Sequence, residues 1–449
     1  MPDVLVLGAG ISGLAAAYRL VQAGYSVRIL EARGRPGGVI HSVEHEGYLI
    51  EEGPHTLMPR SALLLRIVEE VGLDSRKVEA SRAARHRFIV RDGRPVPLPR
   101  GPVEFLRSPI LSPAAKLRLL LEPFQPRLDK EDEPLSSFIR RRLGEEVLEY
   151  LVEPFVAGIY AGDPDRLSTR YAFPMLYQLE QEAGSLFRGT IRRRRASDKT
   201  VPRGQRMFSF PRGLAELPER LADRVKDTLI LGASVCEVLP LASGWRVHYR
   251  LADGEGVLEA PALISTLPVY QAQKVFPFEI PDLVYAPVAL VAMGFRREDV
   301  AHPLHGFGML VPRCEPFRLL GVLFPSSLFP GRAPEGQVLL TSFLGGMRHP
   351  EDVHRSKEAL ETLVLKELGT LLGVKGMPRM VHVVRHTHAI PQYEPGYGTF
   401  KRQLEKLEQG YPGLYFAGNY WSGVSVHQAM ESGWEAAGRL LQSLPTSSA

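Results

Sequence analysis

A short glycine pattern near the amino terminus constrains the fold of this chain more than any other feature. The apolar run Val4–Leu7 is typical of a β-strand, and a helical pattern covers Leu14–Ala23. Between them lies a G-x-G-x-x-G segment made of Gly8, Ala9, Gly10, Ile11, Ser12 and Gly13. In a strand–turn–helix unit these glycines allow the tight turn, the approach of a pyrophosphate and close packing of helix on strand. The pattern predicts a Rossmann-like dinucleotide site, with the phosphates at the helix amino terminus.

An acidic residue at the end of the second predicted strand narrows the choice of dinucleotide. Val27–Leu30 has the pattern of that strand, and Glu31 follows it, 18 residues beyond Gly13. A carboxylate at this place can accept hydrogen bonds from both ribose hydroxyls and would repel a 2′-phosphate. NADP is therefore disfavoured, which leaves NAD and FAD.

Two further segments favour FAD. Directly after Glu31 the sequence ARGRPGG ends in the glycine pair Gly37-Gly38, an extension that NAD binding does not need. The sequence YFAGNYWSGVSVHQAMESG predicts a strand that ends at Gly418 and a helix that starts near Val424. Both segments resemble the flavoprotein amine oxidase superfamily. There the glycine pair lies against the flavin side of the pyrophosphate, and the helix aims its N–H groups at the flavin ring.

No second G-x-G-x-x-G follows the first one, so a dedicated NAD(P)H site is not expected. A flavin enzyme without a pyridine nucleotide must take hydride from an organic substrate and pass the electrons to oxygen or a quinone. The sequence therefore predicts an FAD-dependent oxidase or dehydrogenase, and disfavours a reductase linked to NAD(P)H.

The remaining chain divides into two further regions. Residues 96 to about 205 are rich in Leu, Pro and Arg, and their prolines predict a series of short helices. A β-rich stretch follows from about 284 to 390, interrupted by one predicted helix, Lys357–Leu372. A length of 449 residues fits two or three such substructures around one large core.

Charge and hydropathy restrict the location and the partners. The net charge of +5 is too mild and too dispersed to predict nucleic-acid binding. The most apolar stretch, Val284–Phe295, is too short to span a bilayer and contains Pro287. No signal peptide is recognised before the first strand. We expect a cytoplasmic protein that can lie on the inner face of the cell membrane, with the basic run Arg192–Arg195 either in solvent or against anionic headgroups.

The cysteines and histidines predict neither a disulfide nor a metal site. Cys236 and Cys314 are far apart and flanked by apolar residues, which favours two buried, reduced thiols. His382, His386 and His388 lie on a β-like segment, where their side chains could share one face. Without a nearby cysteine or carboxylate in sequence, a hydrogen-bonded or solvent-facing set is expected.

Several motifs, spread over nearly the whole chain, resemble the protoporphyrinogen oxidase family. In chain order these are EEGPHTL, RFIVRDGRPVPLP, EPFVAGIYAGDPDRLSTRYAFPML, HGFGMLVP, SFLGG and AIPQY. The sequence GIYAGD followed by LS and FPML is the most specific of them. The resemblance implies oxidation of protoporphyrinogen IX to protoporphyrin IX in haem synthesis, with FAD as cofactor, oxygen as acceptor and hydrogen peroxide as product.

The resemblance also implies roles for individual residues. Arg87 would hold a propionate of the substrate, and the carbonyl of Gly158 would face the macrocycle. Leu310 and Phe343 would sandwich a pyrrole ring. No residue is expected to act as a general base, because the gain in conjugation makes proton loss easy. Besides the glycine-rich turn, the implied FAD contacts are Glu31, Ala32, Arg33, Gly37, Gly38, Val39, Gly53, Pro54, His55, Thr56, Val235, Gly418, Asn419, Val424, Ser425 and Val426.

The implied architecture is α/β, with a discontinuous FAD-binding Rossmann-like domain of the GR2 type. Residues 1–80, 205–266 and 406–449 would form this domain. A β-rich substrate domain would consist of 81–95 and 267–405, and a helical domain of 96–204 would cap the substrate and associate with the membrane. Hand-over of the product to ferrochelatase is a further expectation, and the sequence leaves monomer and homodimer open.

Three alternatives remain at this point. A coproporphyrinogen III oxidase would share the fold and the flavin but would handle four propionates, which favours a more cationic pocket. A flavin amine oxidase would leave the GIYAGD motif unexplained. A flavin-binding scaffold protein without activity conflicts with the intact cofactor motifs and with Arg87.

Overall fold

The protein is described by a computed structural model that covers residues 1–128, 132–196 and 206–443, with side chains at all of these except 194–196. The predicted boundary at 204/205 and the last residues of the chain lie outside these ranges. The strands are β1 (Val4–Leu7), β2 (Val27–Glu31), β3 (Ser42–His45), β4 (Tyr48–Glu51), β5 (Val78–Glu79), β6 (Phe88–Arg91), β7 (Arg94–Pro97), β8 (Phe208–Ser209), β9 (Leu229–Leu231), β10 (Ser234–Leu241), β11 (Gly244–Leu251), β12 (Gly254–Ala260), β13 (Ala262–Ser265), β14 (Tyr285–Arg296), β15 (Gly308–Leu310), β16 (Gly321–Leu323), β17 (Gln337–Gly345), β18 (Met380–Pro391) and β19 (Leu414–Phe416).

The helices connect and cover these strands. They are α1 (Ile11–Gln22), α2 (Ala62–Glu70), α3 (Pro102–Arg107), α4 (Pro113–Leu120), α5 (Leu135–Arg142), α6 (Glu145–Val147), α7 (Glu153–Tyr160), α8 (Thr169–Ala172), α9 (Pro174–Ala183), α10 (Leu186–Ala196), α11 (Glu216–Asp223), α12 (Val269–Val275), α13 (Pro325–Leu328), α14 (Lys357–Leu372), α15 (Tyr397–Gly410) and α16 (Val426–Ser443). A π-helical stretch, Leu148–Val152, joins α6 to α7.

A five-stranded parallel sheet forms the predicted Rossmann-like unit. Its strand order is β19-β13-β1-β2-β9, so strands from the beginning, the middle and the end of the chain lie side by side. The central strand β1 is completely buried at all four positions, as expected for a parallel strand covered on both faces. Helices α1 and α16 pack against each other beside this sheet.

A seven-stranded mixed sheet forms the β-rich region, in the order β18-β14-β17-β16-β15-β6-β7. Helix α14 covers one face, where its leucines join an apolar core with alternate residues of β14 such as Val291 and Met293. On the opposite face, Leu290 and Ala292 of β14 contact Tyr48 and Ile50 of the β3–β4 hairpin. The hairpin thus links the first segment of the chain to this sheet. Strands β10, β11 and β12 form a separate antiparallel sheet.

The proline-rich block folds into short helices, as its sequence predicts. Pro102 and Pro113 occupy the first turns of α3 and α4, and Pro134 immediately precedes α5. A buried ion cluster ties the block together. Arg142 has its Nε 3.1 Å from Glu180 and 3.4 Å from Glu122, and all three side chains are at most 2% exposed.

Two local predictions were wrong. Helix α1 begins at Ile11 and not at Leu14, because Ser12 and Gly13 already belong to its first turn. Cys236 and Cys314 are exposed and not buried. Cys236 lies on β10, where seven of the eight residues are exposed or half-buried, so apolar neighbours do not ensure burial.

In the described part of the chain, no helix combines the length and the apolar character that crossing a membrane requires.

Candidate active site

The glycine-rich turn has the geometry of a phosphate-binding loop. Gly8 has a φ of 94°, in the left-handed region that favours glycine. A Cβ on Gly13 would lie 1.9 Å from the carbonyl oxygen of Gly8, so only glycine lets α1 begin this close to β1. A Cβ on Gly10 would meet no atom within 4 Å. The turn is therefore tightly packed at its first and third glycines and open at the second, where a pyrophosphate would approach.

The glycine pair after Glu31 folds back onto this turn. The N–H of Gly37 donates to the carbonyl of Ala9 at 2.8 Å, and a Cβ on Gly38 would lie 3.2 Å from the Cα of Gly10. A Cβ on Gly53 would lie 2.1 Å from the carbonyl oxygen of Val39. Gly53 therefore begins the segment with Pro54, His55 and Thr56 directly beside the glycine pair.

Glu31 lies at the end of β2 and holds two backbone amides. Its two carboxylate oxygens accept hydrogen bonds from Ala9 N at 2.7 Å and from Arg33 N at 2.9 Å. Each oxygen has a second lone pair, so the carboxylate can still accept ribose hydroxyls. The Glu31 carbonyl accepts from Ala233 N at 2.8 Å, and Val235 follows two residues later on β10. Val235 thereby lies near Glu31, the residue implied for the ribose, and the resemblance implies that Val235 contacts the adenine.

The carboxy-terminal segment meets the amino-terminal turn through helix packing. The Ser12 hydroxyl donates to the carbonyl of Ala429 at 2.7 Å, and a Cβ on Gly433 would lie 1.9 Å from the carbonyl oxygen of Ser12. The amino-terminal turns of α1 and α16 are thus in contact. Helix α16 begins at Val426, two residues later than predicted, and Ser425 accepts the first helical hydrogen bond, from Ala429 N at 2.9 Å.

Two observations test whether these residues fit a flavin dinucleotide. The space beside Gly10 is free of protein atoms within 4 Å of the point where a Cβ would lie. In addition, His55 Nε2 is buried and has no hydrogen-bond partner in the described part of the protein. A buried polar atom without a partner is costly unless a ligand supplies one. The open cradle and the orphaned nitrogen fit FAD.

The apolar residues implied for the substrate lie in one row across the seven-stranded sheet. Leu310 on β15 pairs with Gly321 on β16, and Gly321 pairs with Phe343 on β17. Paired residues on neighbouring strands share a face, so Leu310 and Phe343 flank a position that has no side chain. The Leu310 side chain leans over this position, since a Cβ on Gly321 would lie 3.1 Å from its Cδ2. The sequence had not indicated Gly321, because its importance depends on this register.

Gly158 and Arg87 adjoin this row. A Cβ on Gly158, within α7, would lie 2.9 Å from Leu310 Cδ2, so the helix touches the row directly. Ile89 on β6 pairs with Leu310, and Arg87 precedes it by two residues, which places Arg87 on the same face of the sheet. Arg87 lies over the ring of Phe307 at 5.2 Å. Its guanidinium has no carboxylate or hydrogen-bond partner within residues 1–128, 132–196 and 206–443.

Electrostatics at Arg87 and His55 favour an anionic or neutral ligand. Partial burial lowers the pKa of the Arg87 guanidinium, and repulsion from Arg60 adds to the effect. Burial lowers the pKa of the His55 imidazole to about 4, so His55 is neutral at neutral pH. The ring of His55 meets that of Phe343 edge to face, with centroids 5.5 Å apart. His55 therefore connects the implied cofactor segment to the apolar row.

Two of the three histidines of β18 contact Glu52, and the third contacts Tyr270. His382 Nε2 lies 2.8 Å from a carboxylate oxygen of Glu52, and His386 Nε2 lies 2.7 Å from the Glu52 carbonyl, so these two share a face. His388 stacks on Tyr270, with ring centroids 4.3 Å apart. No group of three or more metal-binding side chains was found among the residues that the structure describes.

Comparison with known proteins agrees with this geometry. The chain belongs to the flavin containing amine oxidoreductase family, whose sequence profile matches residues 11–441. Within that family it groups with protoporphyrinogen oxidases. The mitochondrial protoporphyrinogen oxidase of Nicotiana tabacum is 35% identical over 97% of this chain and 94% of its own length. The coproporphyrinogen III oxidase of Bacillus subtilis (strain 168) is 29% identical over 96% of both chains.

One solved structure supports the same assignment. A protein from Exiguobacterium sp. 255-15, proposed to be a protoporphyrinogen oxidase, superimposes with a TM-score of 0.85, at 27% identity over 99% of both chains. The predicted α/β fold with an FAD-binding Rossmann-like unit and a β-rich region is therefore confirmed, as are the flavin cofactor and the oxidoreductase class.

Proposed function

We propose that this protein is an oxygen-dependent protoporphyrinogen oxidase, which oxidises protoporphyrinogen IX to protoporphyrin IX and releases hydrogen peroxide. The observation that carries the proposal is the row of Leu310, Gly321 and Phe343, with Arg87 on the same face and His55 at the edge of Phe343. An apolar wall that reaches the implied cofactor segment through His55, with an unpaired cation on the same face of the sheet, supports this function. The higher identity to protoporphyrinogen oxidases than to coproporphyrinogen oxidases supports this choice.

The chemistry of the substrate matches this wall. Protoporphyrinogen IX is a largely apolar macrocycle with two carboxylates, and it needs apolar surfaces for its rings and at least one cation. Strand β16 lies between β15 and β17, so these two strands are about 10 Å apart, twice the spacing of neighbouring strands. Across that interval the Leu310 side chain leans over Gly321, so Leu310 and Phe343 would offer one continuous apolar surface to a pyrrole ring. A guanidinium such as that of Arg87 binds a carboxylate through two parallel hydrogen bonds.

The protein's part in the reaction is to bind, orient and exclude water. Bound FAD would supply a two-electron acceptor that oxygen regenerates, and three such oxidations, with three hydrogen peroxide molecules formed, would convert the porphyrinogen to the porphyrin. The glycine-rich turn, Glu31 and the start of α16 would hold the cofactor. Leu310 and Phe343 would hold the macrocycle against it, with Arg87 on one propionate. Neutral His55 would add no charge to the edge of the apolar wall at Phe343, and proton loss needs no dedicated base because the ring gains conjugation.

The test is an aerobic assay of the purified protein with protoporphyrinogen IX, in which porphyrin fluorescence and hydrogen peroxide are followed together. We expect both to rise, with a kcat/KM for protoporphyrinogen IX above that for coproporphyrinogen III. A higher kcat/KM for coproporphyrinogen III would favour the alternative oxidase. Turnover of amines alone would favour an amine oxidase. A flavin that the substrate does not bleach without oxygen would favour a non-catalytic scaffold.

We further propose that the helical block, residues 96–204, rests on the inner face of the cell membrane and covers the substrate site. The support is a group of exposed apolar side chains on its short helices, each more than 60% exposed, namely Val103, Leu106, Leu117, Leu120, Phe124 and Met175. An apolar substrate and product would favour entry and release at a bilayer surface. Passage of the product to ferrochelatase would follow there. The side chains of Arg194 and Arg195 in the basic run lie outside the described residues.

A further inference from the structure

Two buried tyrosines contact the backbone between the implied flavin contacts Gly418 and Val424. The hydroxyl of Tyr393 donates to the carbonyl of Asn419. The hydroxyl of Tyr397 donates to the carbonyl of Tyr420 at 2.5 Å and lies 3.4 Å from that of Trp421. We call Tyr393 and Tyr397 the tyrosine clamp. Their rings pack together with centroids 4.4 Å apart, and the residues are 3% and 5% exposed.

The clamp fixes the orientation of a peptide plane. The described chain has no cis peptide bonds, and in a trans peptide the C=O and the following N–H point in opposite directions. Because Tyr393 holds the carbonyl of Asn419, the N–H of Tyr420 points away from the clamp. This N–H has no hydrogen-bond partner in the described ranges. By contrast, the N–H of Trp421 donates to the carbonyl of Gly418 at 3.1 Å. The clamp therefore fixes the direction of a backbone donor that makes no hydrogen bond within the described ranges.

Residues of the helical block pack against the tyrosine clamp. The ring of Tyr160 in α7 lies 5.9 Å from that of Tyr393, and the ring of Tyr171 in α8 lies 5.2 Å from that of Tyr397. Ser168 N donates to the carbonyl of Tyr393 at 2.8 Å. Burial raises the pKa of both clamp tyrosines far above the ordinary value, so their hydroxyls remain donors over the working pH range.

We propose that Tyr393 and Tyr397 are positioning residues, which hold the segment 419–421 in the conformation that presents the Tyr420 N–H to the flavin. The clamp also transmits the position of α7, which carries Gly158, to the flavin segment. The inference rests on the proposed placement of FAD at residues 418–426 and adds two residues to that site. Neither tyrosine would touch the cofactor.

The test is FAD binding by the apo-protein, measured for Tyr393→Phe and Tyr397→Phe. Each substitution removes one hydroxyl and leaves one buried carbonyl without its donor, so the Kd for FAD should rise about tenfold. The control is Tyr48→Phe, which removes a similarly buried hydroxyl that donates to Gln337 on β17, away from the clamp and the flavin segment. Its Kd should stay within about twofold of the unsubstituted protein.

Unchanged Kd values in both clamp variants would overturn the inference. So would an equal rise in the control, because general loss of packing would then explain the effect. If an apo-form is too unstable for titration, visible circular dichroism of the FAD-loaded protein replaces the Kd. An altered spectrum in the clamp variants alone supports the clamp, and identical spectra overturn it. Turnover of protoporphyrinogen IX is not used here, so a failed activity assay would refute the proposed function and leave this result intact.

Discussion

Two side chains in this site have polar groups without a partner in the described parts of the protein. Arg87 has a guanidinium without a carboxylate, and His55 has a buried nitrogen without a partner, each within the described parts of the protein. Glu31 shows the opposite arrangement, because both of its carboxylate oxygens already accept backbone amides. Arg87 and His55 therefore have unused positions for ligand atoms, whereas Glu31 fixes the glycine-rich loop and keeps only its second lone pairs for a ribose.

Arg87 should determine substrate affinity more than the rate of the chemical step. For Arg87→Ala we expect KM for protoporphyrinogen IX to rise about 10- to 100-fold, the cost of one charge-assisted hydrogen-bonded pair, with kcat within about threefold. Arg87→Lys should recover part of the loss, because it keeps the charge but not the paired geometry. Steady-state kinetics measure both values. Arg402→Ala, an exposed arginine on α15, is the control, and an unchanged KM in Arg87→Ala would refute the role.

Glu51 should make the stability of the protein depend on pH. Burial raises its pKa to about 7, although Arg332 lies 3.4 Å away and Ser42 donates to it. The folded state therefore holds a proton that the unfolded chain releases above its ordinary pKa of 4.5. This contribution is complete below about pH 4.5 and is lost as pH rises to about 7. Relative to Glu51→Gln, the free energy of unfolding should fall by about 3 kcal/mol over that range.

Denaturant unfolding of the apo-protein and of Glu51→Gln at pH 5 and pH 7.5 measures this difference. The two proteins should converge or cross as pH rises. A constant gap between them at both pH values would contradict the prediction.

At the scale of elements, close contacts between helices and strands depend on glycines. Helix α16 lies on α1 because Gly433 has no side chain, and α1 lies on β1 because Gly13 has none. Gly321 plays a related part in the seven-stranded sheet, where it separates Leu310 from Phe343. In each case an added methyl group would meet a neighbouring element directly.

Gly433→Ala should separate the two ends of the flavin site. Its Cβ would lie 1.9 Å from the backbone oxygen of Ser12, which cannot move without shifting α1. We expect a loss of about 1–3 kcal/mol in stability, together with weaker FAD binding. Gly410→Ala, near the end of α15 and with no atom within 4 Å of the added Cβ, should change stability by less than about 1 kcal/mol. Thermal unfolding with and without FAD separates the two effects, and equal behaviour of both variants would contradict the prediction.

The sequence predicted the local parts of this arrangement and missed the parts that depend on strand pairing. The turn at Gly8–Gly13 and the acidic end of β2 follow from short patterns, and helix α14 has the predicted bounds. The exposure of Cys236 depends on how β10 pairs, which no local pattern reveals. Gly321 and the tyrosine clamp likewise depend on contacts between segments far apart in the chain. The resemblance indicated Leu310 and Phe343, but their common row became visible only with the register of β15, β16 and β17.

At the scale of the whole molecule, the exposed apolar side chains are concentrated on one block. Leu106, Leu117, Leu120 and Phe124 are 69%, 61%, 70% and 77% exposed and belong to neighbouring short helical segments. Elsewhere, Met377 is exposed to a similar degree, at 74%, as a single side chain in a loop. A group of this kind is typical of a surface that contacts protein or lipid.

The membrane proposal predicts that these four side chains drive binding to vesicles. The protein should sediment with vesicles of phosphatidylcholine and phosphatidylglycerol, and replacing the four residues by serine should abolish most of this binding. Met377→Ser should bind as the unsubstituted protein does. Equal binding by all three proteins would refute the role of this group, and absence of binding by the unsubstituted protein would refute the membrane proposal.

The parallel sheet has a consequence for how the polypeptide matures during synthesis. Its edge strand β19 and the helix α16 come from the last tenth of the chain, although they complete a loop made in the first tenth. A nascent chain still attached to the ribosome would carry an unfinished Rossmann unit with β13 unprotected on one side. Premature termination shortly before Leu414 would therefore yield a nearly full-length product that cannot retain its cofactor. In the cell, that product would aggregate or be degraded, and it would not act as an enzyme of reduced activity.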